Sequence, residues 1–402
     1  MVKTKSTDIS AVTRSGRVVV LWLQNFPEHY FNAMMDRLNS AADGPMYHSV
    51  FLRAEPPNPA GYQLPRNTPV TYLPTAKKGR GPNVHAALGG LEFSAAIIGG
   101  YDTPFKRRFI NYCRRTGRPV IMFADSNIRS ERGRTGRARL KRRFKKCYLP
   151  RICRNLSGII PCNKYGVAYW RYYGARHDQI YRSSYFCDRE ELAAARLSDR
   201  SEVLSRHQIG DGHKIIFTAA RLVQVKSLDL MIQAFLQCRL ADRGWIWLIA
   251  GNGPLKAELQ QAAQPAGQAI RFMGFVPPPD VKRLARHSEL FVLPSTYEPH
   301  GIVVAESMAV GTPVIASDVC GAAGDLVKPG ITGWIFRNRS VEDLARVLSS
   351  TTADPAALAA MRSTCRQTFE NWYARYGPEY VIPRMLQRFL NPDSAVRNRT
   401  AW

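Results

Sequence analysis

The chain has 402 residues, 45% of them hydrophobic, enough to bury a large core and to build two or three domains. Lys and Arg number 57 against 31 Asp and Glu, a formal net charge of +26. No uninterrupted apolar run approaches the roughly 18 to 20 residues that span a bilayer, and the N-terminal stretch RVVVLWL lacks the layout of a cleaved leader. The composition therefore predicts a globular, cytoplasmic protein.

Residues 17–23 read as a first buried strand, followed by a loop at 25–30 and the helix FNAMMDRLN. Further strands are expected at 47–52, 69–73, 95–98, 119–123 and 157–161, the last running into a helix at 164–173. Strands alternating with helices predict an α/β, doubly wound parallel sheet, in which ligands bind beyond the carboxyl ends of the strands. That rule selects two cleft-lining loops: Gly99, Gly100, Tyr101 and Asp102, then Asp125, Ser126 and Asn127.

Between residues 129 and 154 twelve cations face a single acid, Glu131. The cations are Arg129, Arg132, Arg134, Arg137, Arg139, Lys141, Arg142, Arg143, Lys145, Lys146, Arg151 and Arg154. The spacing predicts a helix with Leu140, Phe144, Tyr148 and Leu149 on its buried side. Three readings fit: a solvated basic helix, attachment to the inner, anionic face of a membrane, or nucleic-acid binding. The segment lacks interleaved aromatic pairs for base stacking, and no groove-reading motif accompanies it. Each cation near an anionic surface contributes about 1 kcal/mol, so peripheral membrane attachment is preferred and no nucleic-acid partner is expected.

Residues 182–207 are polar, with no strand, and read as a linker. The second half then repeats the alternation, with the strand KIIFTA, the helix LDLMIQAFLQC, the strand IWLIA and the strand AIRFMGFV, then a short helix at 280–288. The boundaries expected are 1–190 and 211–370 for the two domains, 191–210 for the linker, and 371–402 for a terminal helix. The eight cysteines show no Cys-x-x-Cys pair and no zinc-like spacing with His, and no Asp-x-Asp pair occurs. No metal and no cofactor is expected.

The most specific stretch is residues 293–336, a strand, a loop, a short helix stopped by Gly311, and a return strand. The amides and dipole of a helix start are a natural seat for a diphosphate. Glu298 and Glu306 flank that seat, and ionised carboxylates accept hydrogen bonds from vicinal diols. In isolation, Glu-x7-Glu would read as two solvated helix-start acids. Within PSxxEPxGxxxxExMAxGxPVIASDxxGAxxDLV it resembles the donor-site signature of retaining, nucleotide-sugar-dependent glycosyltransferases of family four, the group 1 glycosyltransferases. His300 stands where that family commonly has Phe or Trp, and Asp325 where Glu is frequent. The loop Ala220-Arg221-Leu222-Val223-Gln224-Val225-Lys226-Ser227 is similar to the family's Gly-Arg-Leu-x-x-x-Lys-Gly, with both glycines replaced.

The resemblance implies a GT-B fold, in which two Rossmann-like domains face a cleft and the last helix crosses back to the N-terminal domain. It implies transfer of a sugar from a nucleoside-diphosphate sugar to a hydroxyl of a saccharide or lipid-linked acceptor, without a metal. Arg221 and Lys226 would neutralise the diphosphate, Glu298 would contact the transferred sugar, and Asp125 would lie beside it; these four are the candidate catalytic residues. Gly251, Gly253 and Phe275 would approach the nucleotide, His300, Gly301 and Ile302 the diphosphate, and Glu306 the ribose. His29, Tyr101 and Asp102 are candidate acceptor contacts. A nucleotide-sugar epimerase of the same architecture and a non-enzymatic nucleic-acid-binding protein are the alternatives.

Overall fold

A computed structural model describes residues 18–25, 29–41, 43–52, 66–73, 83–131, 136–210 and 212–390, and of His29 and residues 136–138 the backbone alone. The side chains of His29 and Arg137, residues Phe26 to Glu28, Arg132, Arg134, Asp211 and the last part of the expected terminal segment 371–402 lie outside the described residues.

The N-terminal half alternates β1 (Val19–Gln24), α1 (His29–Asn39), β2 (Met46–Phe51), β3 (Val70–Tyr72), α2 (Val84–Ala87), β4 (Ala95–Gly99), α3 (Pro104–Arg115), β5 (Val120–Ala124), α4 (Gly136–Arg154), β6 (Gly158–Pro161) and α5 (Lys164–Tyr172). Residues 191–210, read as linker, fall largely within two helices, α6 (Arg189–Arg196) and α7 (Arg200–Arg206), whose Leu192, Ala195, Val203 and Leu204 join the core of the second half. That half continues with β7 (Lys214–Ala219), α8 (Leu228–Gln237), β8 (Trp245–Ala250), α9 (Lys256–Ala263), β9 (Ile270–Gly274), α10 (Pro278–His287), β10 (Leu290–Leu293), α11 (Ile302–Ala309), β11 (Val314–Ser317), α12 (Gly321–Leu326), β12 (Gly333–Phe336), α13 (Val341–Thr352), α14 (Pro355–Tyr376) and α15 (Pro378–Leu390).

Both sheets are parallel and six-stranded, in the orders β3-β2-β1-β4-β5-β6 and β12-β11-β10-β7-β8-β9. In each, the strand order reverses once, between β1 and β4 and between β7 and β10. The crevice at such a switch point is where doubly wound sheets take ligands. It puts Asn25 and Gly100 at the mouth of one sheet, and Ala220, Arg221 and Pro294 at the mouth of the other.

Burial on both faces explains the strand composition, since side chains alternate between two cores. In β1, Val19, Leu21 and Leu23 face one core, while Val20 and Trp22 face the other. The chain turns at Gly377-Pro378, where a proline's fixed φ starts a new helix readily. α14 packs Cys365, Phe369, Trp372 and Tyr373 on the C-terminal domain. α15 packs Val381, Ile382, Met385 and Leu386 beside Val20 and Trp22 of the N-terminal domain. This is the expected crossing-back helix.

One expectation on helix α4 is overturned. Leu140 and Phe144 are each 69% exposed, while Tyr148 is half-buried and Leu149 is the first buried apolar side chain of the helix. Helical periodicity identifies an apolar stripe but not what covers it. Among the described residues, no helix is long and apolar enough to cross a membrane.

Candidate functional site in the interdomain cleft

The loop after β7 and the loop after β10 meet at the switch point of the second sheet. Ser227 holds φ at +49°, a left-handed conformation that suits the glycine of the resembled motif. Its hydroxyl bonds Thr296 Oγ1 at 3.0 Å, and the Thr296 amide donates to the Val225 carbonyl at 2.9 Å. These bonds bring Lys226 onto Glu298, and the two form an ion pair through Nζ and Oε2. Ser295 Oγ donates to the same carboxylate at 3.1 Å. Arg221 is exposed at the cleft end of β7.

Gly301 opens α11 at φ +87°, and a Cβ there would lie 2.8 Å from Cys320 Sγ and 3.1 Å from Glu298 Cγ. The position therefore excludes a side chain, and it leaves the amides of Ile302 and Val303 at a bare helix start. Gly251 and Gly253 let β8 turn tightly over the 220–222 backbone: a Cβ on Gly251 would stand 1.9 Å from the Ala220 carbonyl oxygen. The Gly251 amide bonds the Gly274 carbonyl at 2.7 Å, which sets the half-exposed Phe275 at the same rim.

Glu306 is buried on α11, one turn inside the helix, and reaches a partner that sequence reasoning did not single out. Lys282 Nζ on α10 lies 3.0 Å from Glu306 Oε1 and 2.8 Å from Glu191 Oε2 on α6. Burial alone would lower the lysine's pKa, but the two carboxylates outweigh it, and Lys282 is held charged. The charge of Glu306, with burial adding, raises the phenol of Tyr30 on α1 of the opposite domain. In the sequence Lys282 is one of several cations on an amphipathic helix, so spacing gave no signal for it.

His300 is buried against Tyr185, with ring centroids 4.9 Å apart, and neither ring nitrogen has a hydrogen-bond partner among the described residues. Burial, with Arg182 adding, brings its pKa down to about 3, so the ring is neutral. Tyr185 also lies beside Asp125, and both line one cavity. Asp125 lines the open cleft yet is crowded by protein atoms. That desolvation pushes its pKa up, opposed by a backbone hydrogen bond and reinforced by the charge of Glu298. Asp125 and Glu298 are thus electrically coupled across the cleft.

A cavity of about 510 Å³ lies beside Asp125 in the N-terminal domain, and Tyr101, Asp102, Ser126, Tyr148 and Tyr185 line it. Lys141 and Lys145 of α4 line it too, so the basic helix forms one wall. The carboxylate of Asp102 is occupied: Lys106 Nζ lies 2.7 Å from Oδ1, and Asn25 Nδ2 donates to Oδ2 at 2.9 Å. Burial works against it, but these two donors outweigh burial and hold Asp102 below its ordinary pKa.

Asparagines of the N-terminal domain clasp the other side. Asn127 Nδ2 donates to the Val319 carbonyl at 2.8 Å and lies 3.3 Å from the carbonyls of Glu298 and Pro299. Asn163 Nδ2 donates to the Pro299 carbonyl at 2.8 Å. Arg182 pairs with the buried Asp325 at 2.6 Å. The return segment at 318–325, which runs into α12, is thereby engaged with the opposite domain. Among the described residues, no cluster of three or more His, Cys, Asp or Glu is placed to hold a metal ion.

Comparison with known proteins decides the family of this site. Residues 199–368 match the family model of glycosyl transferases group 1. The chain carries a group 1 glycosyltransferase domain. The domain is similar to a D-inositol 3-phosphate glycosyltransferase of Rhodococcus opacus, 29% identical over 212 residues, 50% of this chain and 46% of that protein. It is also similar to an uncharacterised glycosyltransferase of Methanocaldococcus jannaschii, 33% identical over 145 residues, 35% of this chain and 37% of that protein. The match thus spans half or less of these relatives.

Among solved structures, Anabaena HepE in complex with UDP superposes with a TM-score of 0.73 over 93% of this chain and 100% of that one, at 18% identity. At that identity the likeness establishes the fold, which is GT-B. The group 1 domain contributes Arg221, Lys226, Glu298 and Glu306, whereas Asp125, Tyr185 and the cavity come from outside the matched residues.

Proposed function

We propose that this protein is a glycosyltransferase that moves a sugar from a nucleoside-diphosphate sugar to a hydroxyl acceptor. The observation that carries the reading is the Lys226–Glu298 ion pair at the switch point of the second sheet, beside Arg221 and the bare start of α11. Departure of a nucleoside diphosphate develops negative charge. Fixed cations and helix-start amides stabilise that charge by several kcal/mol without a divalent ion. Glu306 would receive the ribose hydroxyls, with Lys282 Nζ 3.0 Å from its Oε1.

We assign front-face transfer with retained anomeric configuration. A covalent sugar–carboxylate intermediate needs a free carboxylate nucleophile paired with an acid about 5 Å away. Glu298 is committed to Lys226 and Ser295, and burial drives Asp125 away from the ionised form that a nucleophile needs. The acceptor hydroxyl would therefore approach from the cavity beside Asp125, on the face that the phosphate leaves.

A saccharide carried on a lipid fits the acceptor side best. Helix α4 walls the cavity with Lys141 and Lys145, and its exposed Leu140 and Phe144 stand among Arg139, Arg143 and Lys146. An apolar pair ringed by cations suits the boundary of an anionic membrane.

The test is a donor-hydrolysis and thermal-shift screen across UDP, GDP and ADP sugars, with and without EDTA. Saturable binding of one nucleotide, undiminished by EDTA, and release of the sugar as its original anomer are expected. Binding of none of the three would end this reading, and loss of activity in EDTA would end its metal-free form.

A further inference from the structure

A second cavity, of about 610 Å³, lies between α5 and the segment that follows it and the crossing helices α14 and α15. The cationic side chains that line it are Lys164, Arg171, Arg182, Arg375 and Arg384, and His177 joins them. Arg182 is tied to Asp325 and lies 3.9 Å from the Tyr376 ring centroid. None of the other five is in a salt bridge among the described residues.

Helix dipoles account for part of this lining. Arg171 and Arg375 fall in the last turns of α5 and α14, where a cation offsets the carbonyl ends. The same rule makes Lys164, the first residue of α5, unfavourable, and it is silent on Arg384 in mid-helix. Gathering these like charges around one concavity costs self-repulsion unless an anion relieves it.

We infer that this cavity is a binding site for an oligoanion, a ligand bearing several phosphate or carboxylate groups, separate from the nucleotide-sugar site. Guanidinium groups present planar forks that match both anions, and the volume lies in the range of small-molecule sites. Tyr376 and Tyr380 supply flat apolar surface beside the cations. Because one wall is the N-terminal domain and the other the crossing helices, an occupant would bridge the two.

Calorimetry on the full chain with tripolyphosphate and with trigalacturonate tests this at about 150 mM salt, where the long-range attraction of a cationic protein is screened beyond about 8 Å. Binding of either probe by the wild type is expected, the better one naming the anion class. Arg171→Glu/Arg384→Glu should weaken it by about tenfold or more. Arg114→Glu/Arg115→Glu, an equal charge change on α3, and Arg221→Ala/Lys226→Ala at the donor loop should both leave it unchanged. If the reversed-charge variant melts early, Arg375→Gln/Arg384→Gln serves in its place. The proposal is overturned if neither probe binds, if the cavity variants bind as the wild type does, or if the α3 or donor-loop variants lose binding equally.

Discussion

Lys226 and Glu298, 72 residues apart in the chain, share one ion pair at the mouth of the second sheet. On the proposed function, the cation that would neutralise the leaving phosphate and the acid that would contact the sugar are each other's partner. Donor binding would then divide the lysine between a carboxylate and a phosphate. Lys226→Ala should lower kcat by about 10²-fold or more, the size of a lost transition-state contact. Lys226→Arg should recover part of it. Steady-state kinetics on the donor found by the nucleotide screen would check both, and an unchanged kcat in Lys226→Ala would remove the lysine from the chemistry.

The Glu191–Lys282–Glu306 triad makes a different prediction, because one cation serves two acids. Lys282→Met leaves two carboxylates facing each other in a buried site, which should cost about 3–5 kcal/mol of stability. Glu306→Gln leaves Lys282 paired with Glu191, so the fold should survive while donor affinity falls. Urea unfolding separates the two: a Lys282→Met midpoint equal to the wild type's would show that the triad is not structural.

His300 carries a pH dependence. Its folded pKa of about 3 lies below the unfolded value of about 6.5, so the native state binds fewer protons between those limits. Its contribution to stability is complete above about 6.5 and is lost as pH falls toward 3. His300→Phe removes two unpartnered buried nitrogens as well as the titration. The variant should exceed the wild type by about 1 kcal/mol at pH 7, from the polar burial. The gap should widen by about 2 kcal/mol at pH 5. Urea midpoints at the two pH values measure it, and a pH-independent difference would refute the titration.

Helix α4 should partition onto anionic vesicles through Leu140 and Phe144. In flotation with phosphatidylglycerol vesicles, Leu140→Ser/Phe144→Ser should recover several-fold less protein than the wild type, since each buried side chain contributes about 1.5–3 kcal/mol. Equal recovery, or equal recovery on neutral phosphatidylcholine, would show that the exposed pair does not enter a membrane.

Much of the site was legible in the chain because its grammar is local. Gly301, Glu298 and Glu306 stand within one strand–loop–helix segment, where turn chemistry and periodicity declare the backbone path. The loops at 99–102 and 125–127 were legible for a related reason: parallel strands announce where their carboxyl ends lie. Lys282 was not, since a lysine among Arg283 and Arg286 on one helix looks like any solvated cation. Leu140 and Phe144 misled, because a helical stripe has the same spacing whether a core or open solvent lies beside it.

The sequence by itself determined two α/β units, the order of their strands, and the identity of the glutamates and cations at the second unit's mouth. These follow from contacts within a few residues, where backbone sterics and side-chain period leave little choice. Only the tertiary structure decided the pairing of Lys226 with Glu298, the capture of Glu306 by Lys282, the contact of Tyr185 with His300 and the clasp of Asn127 on the opposite domain. The first two pairings join distant segments of the second domain, and the last two join one domain to the other. Nothing in the spacing of a chain states which distant charge will be nearest once water is excluded between them.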